Sequence, residues 1–212
     1  MRCQALNNPK TNSITSLCLD QAKTLRNIPS LKKLELIDCR VAESGCRVLA
    51  HELSRSATFG IENLVLDHNN IGDKGVQALA EGLRFHTHIC ELSLAYCDIG
   101  RQGYSILANI LTRPNTAIRV LNLEGNVCTA GGANDFLIKL MRNTSIQSLS
   151  LKNNQIFIDI VLTNNICKSI KSIVNLTALD LDANPIEENS VRFMAASLAS
   201  CSRIRQVQIY PC

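Results

Sequence analysis

Apolar and polar residues alternate along the chain in a unit that is clearest between Ile61 and Leu83. The aliphatic positions of this stretch follow the spacing LxxLxLxxNxIxxxGxxxLxxxL, in which Leu64 and Leu66 lie two residues apart and Leu79 and Leu83 lie four apart. A period of two predicts a short strand with one buried face, and a spacing of four predicts one apolar stripe of a helix. The unit is therefore a strand, a turn and a helix, and its apolar face needs a neighbour on each side.

The same unit recurs from end to end. Its opening aliphatic residue occurs at Ile14, Leu31, Ile61, Ile89, Ile118, Ile146, Leu176 and Ile204. Strand-and-helix repeats of roughly 20 to 50 residues are typical of a solenoid, in which each repeat contacts its neighbours. We expect an α/β solenoid of about seven to eight repeats. Parallel strands are expected on its concave face and helices on its convex face, with the short first unit acting as a cap.

Two turn motifs are specific enough to suggest a family. The turn of the Ile61 unit reads NNIGDKG (residues 69–75), and the Leu31 unit reads CRVAESGCRVL (residues 39–49). These stretches resemble the NxLGDxG and CxL…GCxxL halves of the long repeat in the leucine-rich repeat family, in the class of the ribonuclease inhibitor. The resemblance implies a right-handed α/β horseshoe. We expect residues 1–13 to form an N-terminal extension and residues 14–212 to form a single repeat domain.

Asparagine recurs at the end of the predicted strands, at Asn69, Asn126, Asn154 and Asn184. Because an amide both donates and accepts, we expect these side chains to bond backbone groups of the adjacent repeat and to have a structural role. The Ile146 unit departs from the pattern. Ile160 replaces the helix glycine there, and we expect a longer or displaced helix that ends near Ser172.

Composition narrows the setting in which the chain works. A net charge of +4 and an aromatic content of 4% without tryptophan do not favour nucleic acid as a partner. The sequence has ten cysteines, but Cys39 and Cys97 hold the asparagine position two repeats apart, on the order of 10 Å and beyond disulfide reach. With no signal-peptide pattern and no apolar run long enough to span a bilayer, we expect a cytoplasmic protein of a reducing compartment.

Charge is segregated between the two predicted faces. Of the side chains that we expect on the concave face, eight are acidic and two are basic, which leaves 10 acidic and 20 basic residues elsewhere. This favours binding of a basic protein surface, with Tyr96 near His68 as an aromatic anchor. The candidate contacts are Glu35, Asp67, His68, Glu91, Tyr96, Asn122, Glu124, Lys152, Asp180, Asp182 and Tyr210.

The function that we expect is a non-catalytic protein–protein interaction module without cofactor or metal. Asp180 and Asp182 share a face but lie on an open sheet, where carboxylates do not converge on a substrate. His86, His88 and Cys90 lack a fourth metal ligand. Two alternatives remain open: a GTPase activator similar in its repeats to the Ran GTPase-activating protein, and a bacterial effector that binds a host protein in the host cytosol. We expect a monomer, with dimerisation through the last strand as the alternative.

Overall fold

The computed structural model of the chain describes residues 7–8, 13–14, 31–55, 60–84, 87–156, 158 and 160–209. Within these residues, nine strands form one sheet whose spatial order is the order of the sequence. The strands are β1 (Asn7–Asn8), β2 (Ser13–Ile14), β3 (Lys33–Glu35), β4 (Asn63–Val65), β5 (Glu91–Ser93), β6 (Val120–Asn122), β7 (Ser148–Ser150), β8 (Ala178–Asp180) and β9 (Gln206–Gln208).

All neighbouring strand pairs from β2 to β9 are parallel, whereas β1 pairs with β2 in the antiparallel sense. Residues expected in the N-terminal extension thus take part in the sheet through their backbone. The boundary between residues 13 and 14 stays a prediction. The leucines expected to complete the first strand, Leu17 and Leu19, lie outside the described residues.

Each parallel crossover from β3 onward contains one helix, as parallel pairing requires. The helices are α1 (Glu43–Arg55), α2 (Gly72–Leu83), α3 (Arg101–Leu111), α4 (Thr129–Leu140), α5 (Ile160–Ser172) and α6 (Glu188–Ala199). Helices and strands enclose one continuous apolar core. The expected α/β solenoid, with one strand and one helix per repeat, is therefore confirmed.

The central residue of each strand fixes the register of the sheet. Leu34 pairs with Leu64 and Leu64 with Leu92, and the same row continues through Leu121, Leu149, Leu179 and Val207. The six leucines are at most 1% exposed, whereas the residues on either side of them reach the surface. A slip of one residue would turn this whole row outward, so burial of the leucines specifies the register.

Helix α5 confirms the expectation of a displaced helix. It begins 14 residues after the opening Ile146, whereas α2 begins 11 residues after Ile61, and it ends at Ser172 as expected. The delay arises because Ile158 still pairs with Ile186 in an isolated parallel bridge and is fully buried. The apolar segment before the helix thus adds a second backbone pairing between neighbouring repeats, besides the strand pair β7–β8.

The asparagines bond backbone groups of the preceding repeat, as expected. Asn69 Oδ1 accepts the N–H groups of Cys39 and Val41 at 3.0 and 2.8 Å, while Nδ2 donates to the Leu36 carbonyl at 2.6 Å. Asn126 and Asn184 repeat this arrangement two and four repeats further on. The buried amides thus pair backbone groups that the turn would otherwise leave without partners.

Two kinds of turn explain why cysteine can replace asparagine. Where Asp98 adopts a positive φ of 56°, the N–H groups on either side of it point at Asn126 of the next repeat. Where Gly72 takes the positive φ instead, at 60°, the next repeat carries Cys97, whose Sγ donates to the Leu66 carbonyl at 3.2 Å. The thiol has a carbonyl to bond there, so an amide is not required.

The helix glycines have a different role from the one that the repeat pattern suggests. Gly75, Gly103 and Gly132 hold the same place in their repeats, which suggests close approach of a helix to the strands. A Cβ at Gly75 would instead lie 2.5 Å from Ile71 Cγ2, at the start of its own helix, and 3.2 Å from Cys46 Sγ of α1. The glycine therefore makes room first for the Ile71 side chain and then for the preceding helix, rather than for a strand.

Tyr104 joins the helix layer to the asparagine row. Its ring is fully buried and meets Phe136 edge to face, with centroids 5.2 Å apart. Its hydroxyl lies 3.3 Å from the Leu123 carbonyl and donates to Asn154 Oδ1 at 2.5 Å. Burial raises the pKa of this phenol well above its usual value. One side chain thus links three consecutive repeats.

Cys46, Cys97, Cys128 and Cys167 are buried free thiols. Burial raises the pKa of Cys46 and of Cys97 to about 12, and it raises the pKa of Cys128 further. These side chains are fully buried and act as small apolar groups. The described helices are all too short or too polar to cross a bilayer.

Candidate partner-binding face

The surface formed by the outward side chains of the strands and of the three residues that follow each strand's end is here called the strand face. The predicted contacts fall into four rows of it. Glu91 opens β5, and Glu35, Asn122 and Asp180 close their strands. Asp67, Glu124, Lys152 and Asp182 stand two residues beyond a strand, and His68 and Tyr96 follow directly after that row. Tyr210 lies outside the described residues.

The strand face carries a surplus of negative charge. Within the described residues it holds two lysines and seven carboxylates, namely Glu35, Asp38, Asp67, Glu91, Glu124, Asp180 and Asp182. Five negative charges are therefore left without a lysine on the same face. Neighbouring strands of a sheet lie about 4.8 Å apart. At that spacing the carboxylates of neighbouring strands act together on anything that approaches the sheet.

Lys152 stands between two carboxylates of neighbouring repeats. Its Nζ lies 3.7 Å from Glu124 Oε1 and 3.9 Å from Asp182 Oδ2, and its side chain is 36% exposed. Such loose, half-exposed pairs contribute little to stability. The lysine nevertheless leaves this trio with a single net negative charge, so it tempers the acidity of the C-terminal half of the face.

Several of the predicted carboxylates also serve the sheet itself. Asp67 Oδ1 accepts the Ser93 hydroxyl at 2.6 Å and the Ala95 N–H at 2.8 Å. Asp180 Oδ1 accepts the N–H of Asp182 at 2.9 Å. Glu91 accepts a hydrogen bond from the Asn63 amide, and Lys33 lies 2.6 Å from Glu35. A mutation of Asp67 would therefore disturb two strands as well as the surface charge.

His68 and Tyr96 form an aromatic stack at the edge of the strand face. Their ring centroids lie 4.7 Å apart and their planes differ by 5°. This separation equals the spacing of the two strands that carry them. The Tyr96 hydroxyl donates to Glu124 Oε1 at 3.0 Å, and Tyr96 remains 39% exposed. The structure thus brings the two predicted anchor residues together.

Gly125 makes room for this stack. A Cβ at Gly125 would lie 2.3 Å from Tyr96 Cδ1, and the glycine has a positive φ of 68°. The Tyr96 ring therefore lies against the Gly125 backbone and is held by His68 on one side and by the next repeat on the other. A ring fixed in this way loses little conformational freedom on binding a partner.

An open depression beside the stack includes residues that the sequence analysis did not select. It is lined by Asp38, His68, Asn69, Asn70, Tyr96 and Asp98. Neither Asp38 nor Asp98 is among the contacts predicted from the sequence. The sequence does hold a signal for Asp98. It lies two residues after Tyr96, directly after the asparagine position of the repeat, and so belongs to the same turn.

The strand face offers no grouping suited to catalysis by a metal. In the part of the chain that the structure describes, no three side chains of histidine, cysteine, aspartate or glutamate are placed to hold a metal ion. The predicted residues line an open sheet in rows rather than converging on one point. Contact with a large surface is what this geometry can provide.

A family model described as "Leucine Rich repeat" matches residues 61–80. The chain is 27% identical to the ribonuclease inhibitor of Sus scrofa over 184 residues, which cover 86% of the chain and 40% of the inhibitor. It is 30% identical to NACHT, LRR and PYD domains-containing protein 2 of Homo sapiens over 175 residues, which cover 81% of the chain and 16% of that protein. The chain therefore spans about two fifths of the inhibitor and a smaller share of the NACHT protein.

A solved structure shares the fold. The C-terminal domain of tropomodulin from Caenorhabditis elegans superposes with a TM-score of 0.54 at 16% identity, over 86% of this chain and 92% of that domain. At this identity the likeness concerns architecture alone. The sequence relatives, by contrast, support a protein-interaction module. Repeat motif, relatives and solenoid agree, and the chain belongs to the leucine-rich repeat family, in its ribonuclease-inhibitor-like class.

Proposed function

We propose that the chain binds a protein partner through the strand face and that the partner presents a basic surface there. The observation that carries this proposal is the surplus of five negative charges on one face of a protein whose net charge is +4. A surface of one sign on a molecule of the opposite net sign directs an oppositely charged partner to that face.

The shape of the face supports the same function. Short parallel strands present a continuous sheet of side chains, and solenoid proteins use such extended surfaces for binding. The stacked rings of His68 and Tyr96 add an apolar, fixed contact within the charged surroundings. Aromatic side chains of this kind contribute most of the energy in many interfaces, while charged residues set orientation and association rate.

Ribonuclease is the first partner to test, because the relatives from Sus scrofa and Mus musculus are named ribonuclease inhibitors. The chain spans 40% of those proteins, so binding of ribonuclease is part of the proposal. The buried free thiols of Cys46, Cys97 and Cys128 support action in a reducing compartment such as the cytoplasm. No described residue favours the GTPase-activator or effector alternatives over partner binding.

The test compares two double variants that change the net charge equally. Glu91→Gln with Asp180→Asn removes two negative charges from the strand face and keeps both carbonyl acceptors. Glu81→Gln with Glu188→Gln removes two negative charges from exposed positions on α2 and α6. Both raise the formal net charge from +4 to +6. Dissociation constants for ribonuclease, and for basic proteins captured with the wild-type chain, are measured by calorimetry at low and at moderate salt.

We expect the strand-face variant to bind about three- to tenfold more weakly and the helix-face variant to bind as the wild type does. The weakening should shrink as salt is added, because exposed charges are screened. Equal effects of the two variants, or partners that bind with no dependence on salt, would refute a role for the acidic strand face.

A further inference from the structure

The depression beside His68 and Tyr96 combines two features that suit one chemical group. Tyr96, whose own ring faces lie against His68 and Gly125, covers one face of the exposed His68 ring. The carboxylates of Asp38 and Asp98 line the depression beside that ring. A planar cation can lie against an aromatic ring while its N–H groups donate to a carboxylate. An arginine guanidinium has both properties, whereas a lysine ammonium is a compact, strongly hydrated charge without a flat face.

We propose that this depression is the specificity pocket of the strand face and that it binds an arginine side chain of the partner. The proposal rests on the proposed function and goes beyond it, because general acidity attracts lysine and arginine alike. The pocket names the residue type that the partner must present and the site that receives it. Asp38 comes from the repeat before His68, and Asp98 from the repeat of Tyr96, so three consecutive repeats build the pocket.

The rings are held in place before any partner arrives. Tyr96 is fixed by its hydroxyl on Glu124 and by the Gly125 backbone beneath its ring. The backbone N–H groups of His68 and Tyr96 donate to the Ala95 and Glu124 carbonyls of the following repeats at 2.8 and 2.7 Å. Binding therefore orders only the incoming side chain, which reduces the entropic cost of the contact.

The experiment titrates N-acetyl-arginine methylamide into the full chain and follows the His68 and Tyr96 ring signals by NMR. N-acetyl-lysine methylamide tests charge without a flat group, and N-acetyl-citrulline methylamide tests a flat group without charge. We expect a saturable shift with the arginine probe and an affinity about three- to fivefold above that of either other probe. Equal affinities for the arginine and lysine probes, or no saturable shift, would overturn the proposal.

Two variants test the residues, and each has a reason to fold. Tyr96→Gly replaces a strained residue with the one that Gly125 uses at the same position, and Asp38→Asn keeps the size of the side chain. Each should weaken the arginine probe about three- to fivefold. Asn153→Gly, at the same turn position two repeats beyond Tyr96 and also at positive φ, is the control and should leave the affinity unchanged. If Asn153→Gly weakens the probe as much as Tyr96→Gly does, the pocket is not the site.

Failure of this inference can be told apart from failure of the proposed function. The Glu91→Gln with Asp180→Asn variant keeps every residue that lines the pocket. If that variant weakens binding of a basic protein but the arginine probe does not shift the rings, only the pocket assignment is wrong. If the variant has no effect on any basic protein, the proposed function fails whatever the probe does.

Discussion

The carboxylate of Asp73 caps the helix of the following repeat at Gly100. Asp73 Oδ1 accepts the N–H of Gly100 at 2.7 Å and the N–H of Gly103 at 2.9 Å. Gly100 stands at the N-cap of α3 and has no side chain with which to bond the first N–H groups of that helix. A residue of α2 therefore supplies the cap of α3 and couples the two repeats.

Replacing Asp73 should destabilise the chain. We expect Asp73→Ala to lower the free energy of unfolding by about 1 to 2 kcal/mol, because two helix N–H groups lose their acceptor. Asp73→Asn retains an acceptor and should cost about half as much, through the lost attraction between the carboxylate and the helix dipole. Urea unfolding followed by circular dichroism measures both values.

Glu43 provides the matched control for the cap. It holds the same place in α1 that Asp73 holds in α2, but it is half-exposed and accepts a hydrogen bond from Arg47 of its own helix. This bond lowers the pKa of its carboxyl. Glu43→Ala should therefore cost clearly less than Asp73→Ala. Equal losses for the two variants would mean that Asp73 acts within α2 rather than as the cap of α3.

Tyr104→Phe should cost about 1 to 3 kcal/mol of unfolding free energy. The ring and its contact with Phe136 remain, but Asn154 Oδ1 loses the hydroxyl that donates to it inside the core. Tyr96→Phe is the surface control, because its hydroxyl bonds Glu124 where water can replace it. A loss in Tyr104→Phe no larger than in Tyr96→Phe would show that the buried hydroxyl adds no net stability.

The repeat architecture could be predicted from the sequence because it depends on periodicity alone. The spacing that selected Leu64 and Leu66 for one face is the spacing that buries them, and the position of Asn69 after the strand is enough to direct its amide at the preceding repeat. The leucine pair recurs in every unit from Leu31 to Leu176, and the asparagine recurs in four of these units. An error in one unit is therefore corrected by its neighbours.

The finer chemistry of the strand face could not be predicted, because it depends on side-chain contacts across repeats. From its position alone, Asp67 would be an unpaired surface carboxylate. In the structure its Oδ1 accepts hydrogen bonds from the Ser93 hydroxyl and the Ala95 N–H of the next repeat. Likewise nothing in the pattern links Tyr104 to Asn154, which stands 50 residues further on. Single side chains that depart from the repeat carry no periodic signal.

Ala183→Gly should stabilise the chain. Ala183 has a positive φ of 54°, a conformation that costs a residue with a Cβ about 1 to 2 kcal/mol. Glycine removes that cost but loses about 0.5 to 1 kcal/mol of chain entropy on folding, so we expect a net gain of up to about 1 kcal/mol. Ala196→Gly, at an exposed position within α6, should instead lose about 1 kcal/mol. The same substitution is thus expected to have opposite signs at two sites, and a loss at both would exclude backbone strain at Ala183.

The buried thiols should make the chain less stable at alkaline pH. Burial raises the pKa of Cys46 and of Cys97 from 9.0 to about 12, because the apolar core disfavours the thiolate. Between these two pH values the unfolded chain loses a proton that the folded chain keeps, so the unfolding free energy falls as pH rises above about 9. Each thiol contributes a slope of about 1.4 kcal/mol per pH unit in that range.

Urea unfolding at several pH values from about 8 to about 10 measures this slope. Cys97→Ala removes one titrating group and should make the decline above about pH 9 shallower by one thiol's contribution. Val41→Ala, which truncates another fully buried side chain that does not titrate, should lower stability by a similar amount at every pH and leave the slope as it is. An unchanged slope in Cys97→Ala would mean that its thiol ionises as readily in the folded chain as in the unfolded one.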